Sequence, residues 1–165
     1  HNYRVAVEIS GPLDENHYVV DFIAVRDALK HIVDELDHRM LLPTEHPLIT
    51  VTADEESVEA VFRDRRWVFP REDCILLPIP NTTTELLAQT IGKRLLERLK
   101  TQPVELKLSV DENYGQWGTW HYTANGNVTA RKKVCPIQDR ADSAGLRHHL
   151  SAGQFSGSMP ANHHH

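Results

Sequence analysis

Cysteine is scarce in this sequence, which contains only Cys74 and Cys135 among 165 residues. The two lie far apart and form no CxxC pair, so the sequence predicts neither a disulfide framework nor a cysteine-type zinc finger. Long apolar runs are also missing, because no stretch approaches the ~18 residues that a membrane-spanning helix needs. We therefore expect a protein that does not cross a membrane and that works in the cytoplasm.

An excess of positive charge is missing as well, since the net charge is −5. A chain of this charge has no general surface for polyanions, and we do not expect nucleic acid as a partner. A local basic pocket could still bind a small phosphorylated molecule. The hydrophobic content of 40% and the charged content of 25% are those of an ordinary globular domain. The length is enough for one domain with its own core.

Alternating apolar and polar residues predict four strands. The first covers residues 2–10, and after the turn sequence GPLDEN a short returning strand is predicted over 17–20. A second pair is predicted over 104–110 and 118–124. We expect these four strands to form one antiparallel sheet.

Two segments have the apolar spacing of amphipathic helices. The first is predicted over 22–37, with Asp21 as its N-cap. The second is predicted over 83–100, where Thr82 as N-cap and Glu85 three residues later have the pattern of a capping box. Together the elements predict an α+β fold in which both helices cover one face of the sheet.

Three ranges describe the predicted domain organisation. Residues 1–124 form one domain, and within it the range 44–80 consists of short β-rich runs that we interpret as an insertion. Residues 125–165 have no sustained period and are rich in Gly, Ser, Ala and Asn, so we predict a flexible tail there.

Five segments, in this order, carry a family resemblance: HNYRVAVEISGPL, VVDF, DELDH, TTTELLA and VDENYGQW. The series resembles the 6-pyruvoyltetrahydropterin synthase and 6-carboxytetrahydropterin synthase family over roughly residues 1–122, without the range 44–80. The resemblance implies a tunnelling fold of order ββ-α-(β insertion)-α-ββ. It also implies a homohexamer, in which the sheets of several subunits join into a barrel and the active sites lie between subunits.

The resemblance also implies a zinc site. In the family a motif of the HGHNY type opens a strand, and its histidines bind Zn²⁺; here HNY would be its second half, so His1 would be a zinc ligand. Alternate strand residues point to one face, and three histidines leave one corner of zinc open for substrate. The other histidine and the family's cysteine base would lie before His1. We therefore expect the natural chain to begin upstream and the 165-residue chain to be a poor enzyme.

Asp37 and His38, in DELDH, match the family's Asp-His pair. The resemblance implies that the carboxylate orients the imidazole, which exchanges protons with the cysteine or the substrate. The alternative is that His38 is a cation at a helix C-terminus, which would be worth only ~0.3–1 kcal/mol.

Glu112, in VDENYG, matches the acid that in the family binds the pterin's 2-amino group and ring nitrogen. The resemblance therefore implies that Glu112 is one of the catalytic residues. A carboxylate suits two parallel N–H donors. The alternative is a solvated acid in a β-turn. Thr83 and Thr84 match a threonine pair that binds substrate beside the same pocket, although helix capping explains this segment equally well.

The implied activity is that of a zinc-dependent lyase that converts the pterin 7,8-dihydroneopterin triphosphate to 6-carboxy-5,6,7,8-tetrahydropterin, a precursor of queuosine and other 7-deazapurines. One alternative is 6-pyruvoyltetrahydropterin synthase, which eliminates triphosphate from the same substrate. Another is a non-catalytic pterin- or purine-binding module with the same fold.

Overall fold

The computed structural model describes residues 2–100, 103–112, 115–124 and 130–134. These residues form an α+β fold of nine strands and two α-helices, with a short 3₁₀ turn at Arg71–Asp73. No helix in these ranges is long and apolar enough to cross a membrane. The elements are β1 Tyr3–Gly11, α1 Phe22–Leu36, β2 Met40–Pro43, β3 Ile49–Ala53, β4 Ser57–Phe62, β5 Arg65–Pro70, β6 Cys74–Leu77, α2 Thr84–Arg98, β7 Glu105–Glu112, β8 Gln116–Thr123 and β9 Ala130–Val134.

The main sheet is antiparallel and has the strand order β8-β7-β1-β9. Its register pairs Tyr3 with Glu112 at one end of β1 and Ser10 with Glu105 at the other end. Alternate residues of β1 and β7 are buried, as the period-two pattern predicts. They form one core with both helices, which therefore cover the same face of the sheet; the strand residues in this core are Tyr3, Val5, Val7, Ile9, Leu106, Leu108 and Val110.

Helix α1 begins as predicted. The Asp21 carboxylate accepts hydrogen bonds from the backbone N–H groups of Ile23 (2.9 Å) and Ala24 (3.2 Å), and so satisfies two donors that the first helical turn leaves open. The helix ends at Leu36, one residue before the predicted end. Its buried residues are Val25, Leu29, Ile32 and Leu36.

Helix α2 begins one residue later than the sequence predicts. Its N-cap is Thr83, whose side-chain oxygen accepts from the N–H of Leu86 at 3.4 Å. The predicted N-cap, Thr82, is instead buried in the preceding loop, where its own N–H donates to the side chain of Asn81. Glu85 therefore lies one position too early for the predicted capping box, and the helix ends at Arg98 rather than at 100.

The strand predicted over 17–20 is wrong. This segment is a turn in which the Asp14 carboxylate accepts from the N–H groups of Asn16 and Tyr18, each at 2.9 Å. His17 has a positive φ of 63°, which a strand does not allow. Local hydrogen bonds to one aspartate therefore replace the ladder that the apolar pattern suggested.

A strand that the sequence did not predict lies beside β1. Ala130–Val134 pairs antiparallel with β1, with Val7 opposite Val134 and Gly11 opposite Ala130. The strand falls inside the range 125–165 for which the composition predicts a tail, and that prediction does not hold for these five residues. The rest of that range lies outside the described residues.

Two smaller sheets occupy the middle of the chain; strands β3 to β6 lie inside the predicted β-rich range 44–80, whereas β2 precedes that range and was not predicted. Strands β3, β4 and β5 form an antiparallel sheet, and β2 pairs parallel with β6. Leu42, Val58 and Cys74 form a second, small core between them. Burial raises the pKa of the Cys74 thiol, as does the nearby Asp73 carboxylate, so this cysteine stays a neutral packing residue.

Candidate active site

The candidate site is built around the end of the β7–β8 hairpin. Glu112 is the last residue of β7 and lies directly opposite Tyr3 of β1, so it belongs to the sheet and not to the turn that follows. Its side chain is half-buried. His1, the predicted zinc ligand, precedes Tyr3 by two positions and lies outside the described residues.

Tyr3 lies beside Glu112 on the neighbouring strand and forms one wall of the candidate site. Its side chain is 5% exposed, and this burial raises the pKa of the hydroxyl to about 12, with a further contribution from the negative charge of Glu112. A tyrosine hydroxyl is neutral at physiological pH even without this shift, so Tyr3 lies beside the carboxylate without adding a second negative charge.

Tyr3→Phe is expected to reduce the loss of stability between pH 10 and 12. The folded-state pKa of about 12 lies above that of an unfolded tyrosine, so the stability that Tyr3 contributes is complete below pH ~10. It is lost as the pH rises through 12, by about 2 kcal/mol. Urea unfolding at several pH values from 8 upward measures this difference. Tyr18→Phe, at an exposed tyrosine, is the control; a Tyr3→Phe curve that stays parallel to that of the unsubstituted protein would contradict the assignment.

The turn after Glu112 is held by its neighbour Asp111, which is 0% exposed. One carboxylate oxygen, Oδ1, accepts from the N–H groups of Gly115 (2.9 Å) and Gln116 (3.0 Å). The other, Oδ2, accepts from the Arg4 guanidinium of β1, with Nε at 2.9 Å and Nη2 in an ion pair. The hairpin is thereby tied to the central strand right beside Glu112.

The N-terminus of α2 lies at the same end of the sheet. Gly118 of β8 packs directly under it, and a Cβ atom at this position would overlap backbone atoms of Thr84 and Glu85. Gly118 pairs with Val110, which precedes Glu112 by two residues, or roughly 7 Å along the strand. Thr83 and Thr84 therefore lie on the same side of the fold as Glu112.

Asp37 and His38 form a contact pair at the end of α1. Asp37 is the C-cap, and His38 follows it with a left-handed φ of 56°, outside the helix. This backbone bend turns the imidazole back, so that His38 Nδ1 lies 3.0 Å from Asp37 Oδ2. The side chain of His38 is 70% exposed. A carboxylate beside Nδ1 orients the ring and favours the tautomer that carries its proton on Nδ1.

This pair lies away from the α2 N-terminus. Glu35, one turn before the end of α1, binds Arg98 at 2.6 Å and contacts Arg94 at 3.8 Å, and both arginines belong to the C-terminal part of α2. The end of α1 thus lies beside the end of α2, whereas Thr84 and Glu112 lie near its beginning. Within one chain, the predicted site residues that the structure describes form two groups.

The described residues do not supply a zinc site by themselves. Structural and catalytic zinc sites use at least three protein ligands. In the ranges 2–100, 103–112, 115–124 and 130–134, no three histidine, cysteine or acidic side chains lie close enough together to hold a metal ion.

A shallow depression lies on the three-stranded sheet, apart from the candidate site. Its charged groups already have partners: Arg66 pairs with Glu59, and the Asp54 carboxylate accepts from the N–H groups of Glu56 and Ser57. These backbone bonds lower the pKa of Asp54. We assign no function to this depression.

Three residues at the site were missed in the sequence analysis. Gly118 carried a signal, since a glycine inside the strand sequence QWGTW is typical of a close approach by another backbone. Asp111 carried a weaker one, because an aspartate at the start of a turn often binds backbone N–H groups. The third residue, Arg4, carried no signal, because its link to Asp111 spans 107 positions and no local pattern encodes it.

Comparisons with known proteins identify the family of this chain. The family profile described as 6-pyruvoyl tetrahydropterin synthase matches residues 1–122. The chain is 32% identical over 121 residues to a Methanocaldococcus jannaschii protein provisionally named 6-carboxy-5,6,7,8-tetrahydropterin synthase, covering 70% of this chain and 74% of that protein. A Pyrococcus horikoshii protein with the same provisional name is 32% identical over 114 residues, covering 68% and 67%.

Solved structures give the same result. The 6-pyruvoyl tetrahydropterin synthase of Plasmodium falciparum superposes with a TM-score of 0.70 at 27% identity, covering 75% of this chain and 80% of that chain. The Plasmodium vivax enzyme superposes equally well at 26% identity. The predicted α+β tunnelling fold is confirmed by these neighbours. The chain belongs to the 6-pyruvoyl tetrahydropterin synthase family and is a lyase of that family's kind.

Proposed function

We propose that this lyase converts 7,8-dihydroneopterin triphosphate to 6-carboxy-5,6,7,8-tetrahydropterin, which feeds the synthesis of queuosine and other 7-deazapurines. The observation that carries the proposal is the placement of Glu112. It is a half-buried carboxylate at a strand end, next to a neutral tyrosine and on the side of the fold where a helix begins.

Recognition of the pterin ring follows from this placement. A pterin offers an amino group and a neighbouring ring N–H on one edge, and the two Glu112 oxygens can accept both hydrogen bonds in parallel. Because the Tyr3 hydroxyl is neutral, Glu112 supplies the negative charge of this wall. Thr83 and Thr84 bring helix amides and hydroxyls to the same side, where they can bind substrate oxygens.

Proton transfer is assigned to Asp37 and His38. Asp37 holds Nδ1 of the imidazole, and the exposed ring can take a proton from the substrate and return it. Because these residues lie beside the far end of α2, we propose that a second copy of the chain brings its His38 to the Glu112 of the first. This geometry supports a homo-oligomer, which we propose to be a hexamer.

Zinc belongs to the proposal through the family resemblance, with His1 as one ligand. When bound, a zinc ion would supply Lewis acidity toward the substrate's side-chain hydroxyls. His1 stands two positions before Tyr3 in the sequence. We propose the cytoplasm as the site of action.

The names of the two archaeal relatives support the carboxy product, whereas the two Plasmodium proteins are named 6-pyruvoyl tetrahydropterin synthases, which supports a 6-pyruvoyl product. We choose the carboxy product because the named archaeal relatives are more similar in sequence, at 32% against 27% or less. The 6-pyruvoyl synthase activity is the second candidate, and a pterin-binding module without activity is the third.

Product analysis tests the proposal. The protein, at the full length that its gene encodes, is incubated with zinc and 7,8-dihydroneopterin triphosphate, and heat-denatured protein is the control. We expect one acetaldehyde per 6-carboxytetrahydropterin formed. A 6-pyruvoyl product without acetaldehyde would contradict the carboxy assignment in favour of the second candidate. Unchanged substrate together with tight pterin binding would show the third.

A further inference from the structure

We infer that Arg4 and Asp111 act together as a positioning pair that sets the orientation of Glu112 toward the pterin. We call these two residues, with the backbone N–H groups of Gly115 and Gln116, the Arg4–Asp111 clamp. The inference rests on the proposed role of Glu112 as the pterin anchor. It adds two positioning residues that do not themselves touch the substrate.

The buried carboxylate of Asp111 is the centre of the clamp. Asp111 is 0% exposed, and a buried carboxylate is stable only when donors surround it. Its four donors come from two directions: the backbone of the turn on Oδ1, and the Arg4 guanidinium on Oδ2. Each carboxylate oxygen thus has a separate structural partner, and the plane of the carboxylate is fixed by both.

The clamp joins three strands in one row. Arg4 of β1 lies opposite Asp111 of β7, which in turn lies opposite Trp117 of β8. The guanidinium carbon of Arg4 lies 5.4 Å from the centre of a Trp117 ring, close enough for a cation–π interaction. A planar guanidinium can bind a carboxylate and stack on a ring at the same time, whereas a lysine ammonium cannot reproduce that combination.

The row lies directly before Glu112 in the chain. Successive strand residues point to opposite faces, so Asp111 holds the backbone from the face away from the helices while the Glu112 side chain points toward the face that carries Tyr3. Gly115, with a φ of 106°, completes the turn that the clamp holds. Fixing the turn and the register fixes the direction of the Glu112 Cα–Cβ bond, and a bidentate contact depends on that direction.

Binding of neopterin tests the clamp, because this ligand carries the pterin edge without the triphosphate. Dissociation constants are measured by fluorescence for Arg4→Lys, Asp111→Asn, Glu112→Gln and the double variant Asp111→Asn/Glu112→Gln. We expect the first two to bind about 10-fold more weakly than the unsubstituted protein, through the lost orientation of Glu112. The double variant is expected to bind no more weakly than Glu112→Gln alone, because a residue that acts through Glu112 has no further effect without it.

A matched control uses the Glu59–Arg66 ion pair of the three-stranded sheet, where Arg66→Lys is expected to leave neopterin binding unchanged. If Glu112→Gln binds neopterin as well as the unsubstituted protein, the proposed function fails and the clamp inference fails with it. If Glu112→Gln weakens binding but Arg4→Lys and Asp111→Asn do not, the inference alone is overturned. Additive losses in the double variant would also overturn it, since they indicate a general loss of structure. Arg4 is 39% exposed, so Arg4→Lys keeps the test valid if Asp111→Asn does not fold.

Discussion

Glu112→Gln is expected to weaken neopterin binding about 100-fold and to lower kcat/KM for the triphosphate substrate at least as much. The change keeps the size and shape of the side chain but removes its charge and replaces one acceptor by an N–H donor. That donor would face an N–H of the pterin edge, so one charge-assisted hydrogen bond is lost and a donor is left unpaired. Together these losses weaken the binding free energy by about 2.7 kcal/mol, which corresponds to a 100-fold higher dissociation constant.

The control for this experiment is Glu105→Gln at the other end of β7. The two glutamates share a strand but are seven residues apart, or roughly 23 Å. Both variants are expected to unfold within about 2 °C of the unsubstituted protein, because neither changes a fully buried side chain. Equal binding by Glu112→Gln and Glu105→Gln would remove Glu112 from the pterin site.

Gly118→Ala is expected to destabilise the protein by about 3 kcal/mol and to weaken neopterin binding as well. The new Cβ would overlap backbone atoms of Thr84 and Glu85, which cannot turn away as a flexible side chain would. The first turn of α2 must therefore move off the sheet, at a cost near the upper end of that for overpacked cores. Thr83 and Thr84 move with it. Thermal unfolding is expected to show a midpoint lower by about 10 °C.

Gly11→Ala is the matched control because a Cβ there would meet its nearest atom, Val19 Cγ1, at an ordinary 3.5 Å. It is expected to change stability by less than about 1 kcal/mol, and to stabilise if the backbone angles suit alanine. A Gly118→Ala protein as stable as Gly11→Ala would mean that α2 does not press on β8 at this point.

The sequence predicted the elements that have strong periods of their own. Both helices and strands β1, β7 and β8 lie within a few residues of the predicted ranges, because one face of each is buried against a single core. Errors arose where local side chains decide the backbone. The turn around Asp14 replaced a strand, and Thr83 rather than Thr82 capped α2. Such choices depend on single hydrogen bonds that periodicity does not report.

The candidate site was predictable only in part. Its residue types could be read from family-like segments, and the structure places Glu112, Thr83 and Thr84 on one side of the fold. The separation of His38 from this group could not be read from order along the chain, because it depends on how α1 packs against α2 through Glu35 and Arg98. The Arg4–Asp111 clamp joins residues 107 positions apart and was invisible for the same reason.

The central position of β1 in the sheet has a consequence for synthesis. Its partners follow it by more than 90 residues, since Tyr3 pairs with Glu112 and Val7 pairs with Val134. A ribosome that adds about 5–20 residues per second leaves β1 without either neighbour for roughly 5–20 s. During that time both edges of an apolar strand are open to other chains. We therefore expect the strand that carries Tyr3 to stay open to contacts with other chains until β7 has been synthesised.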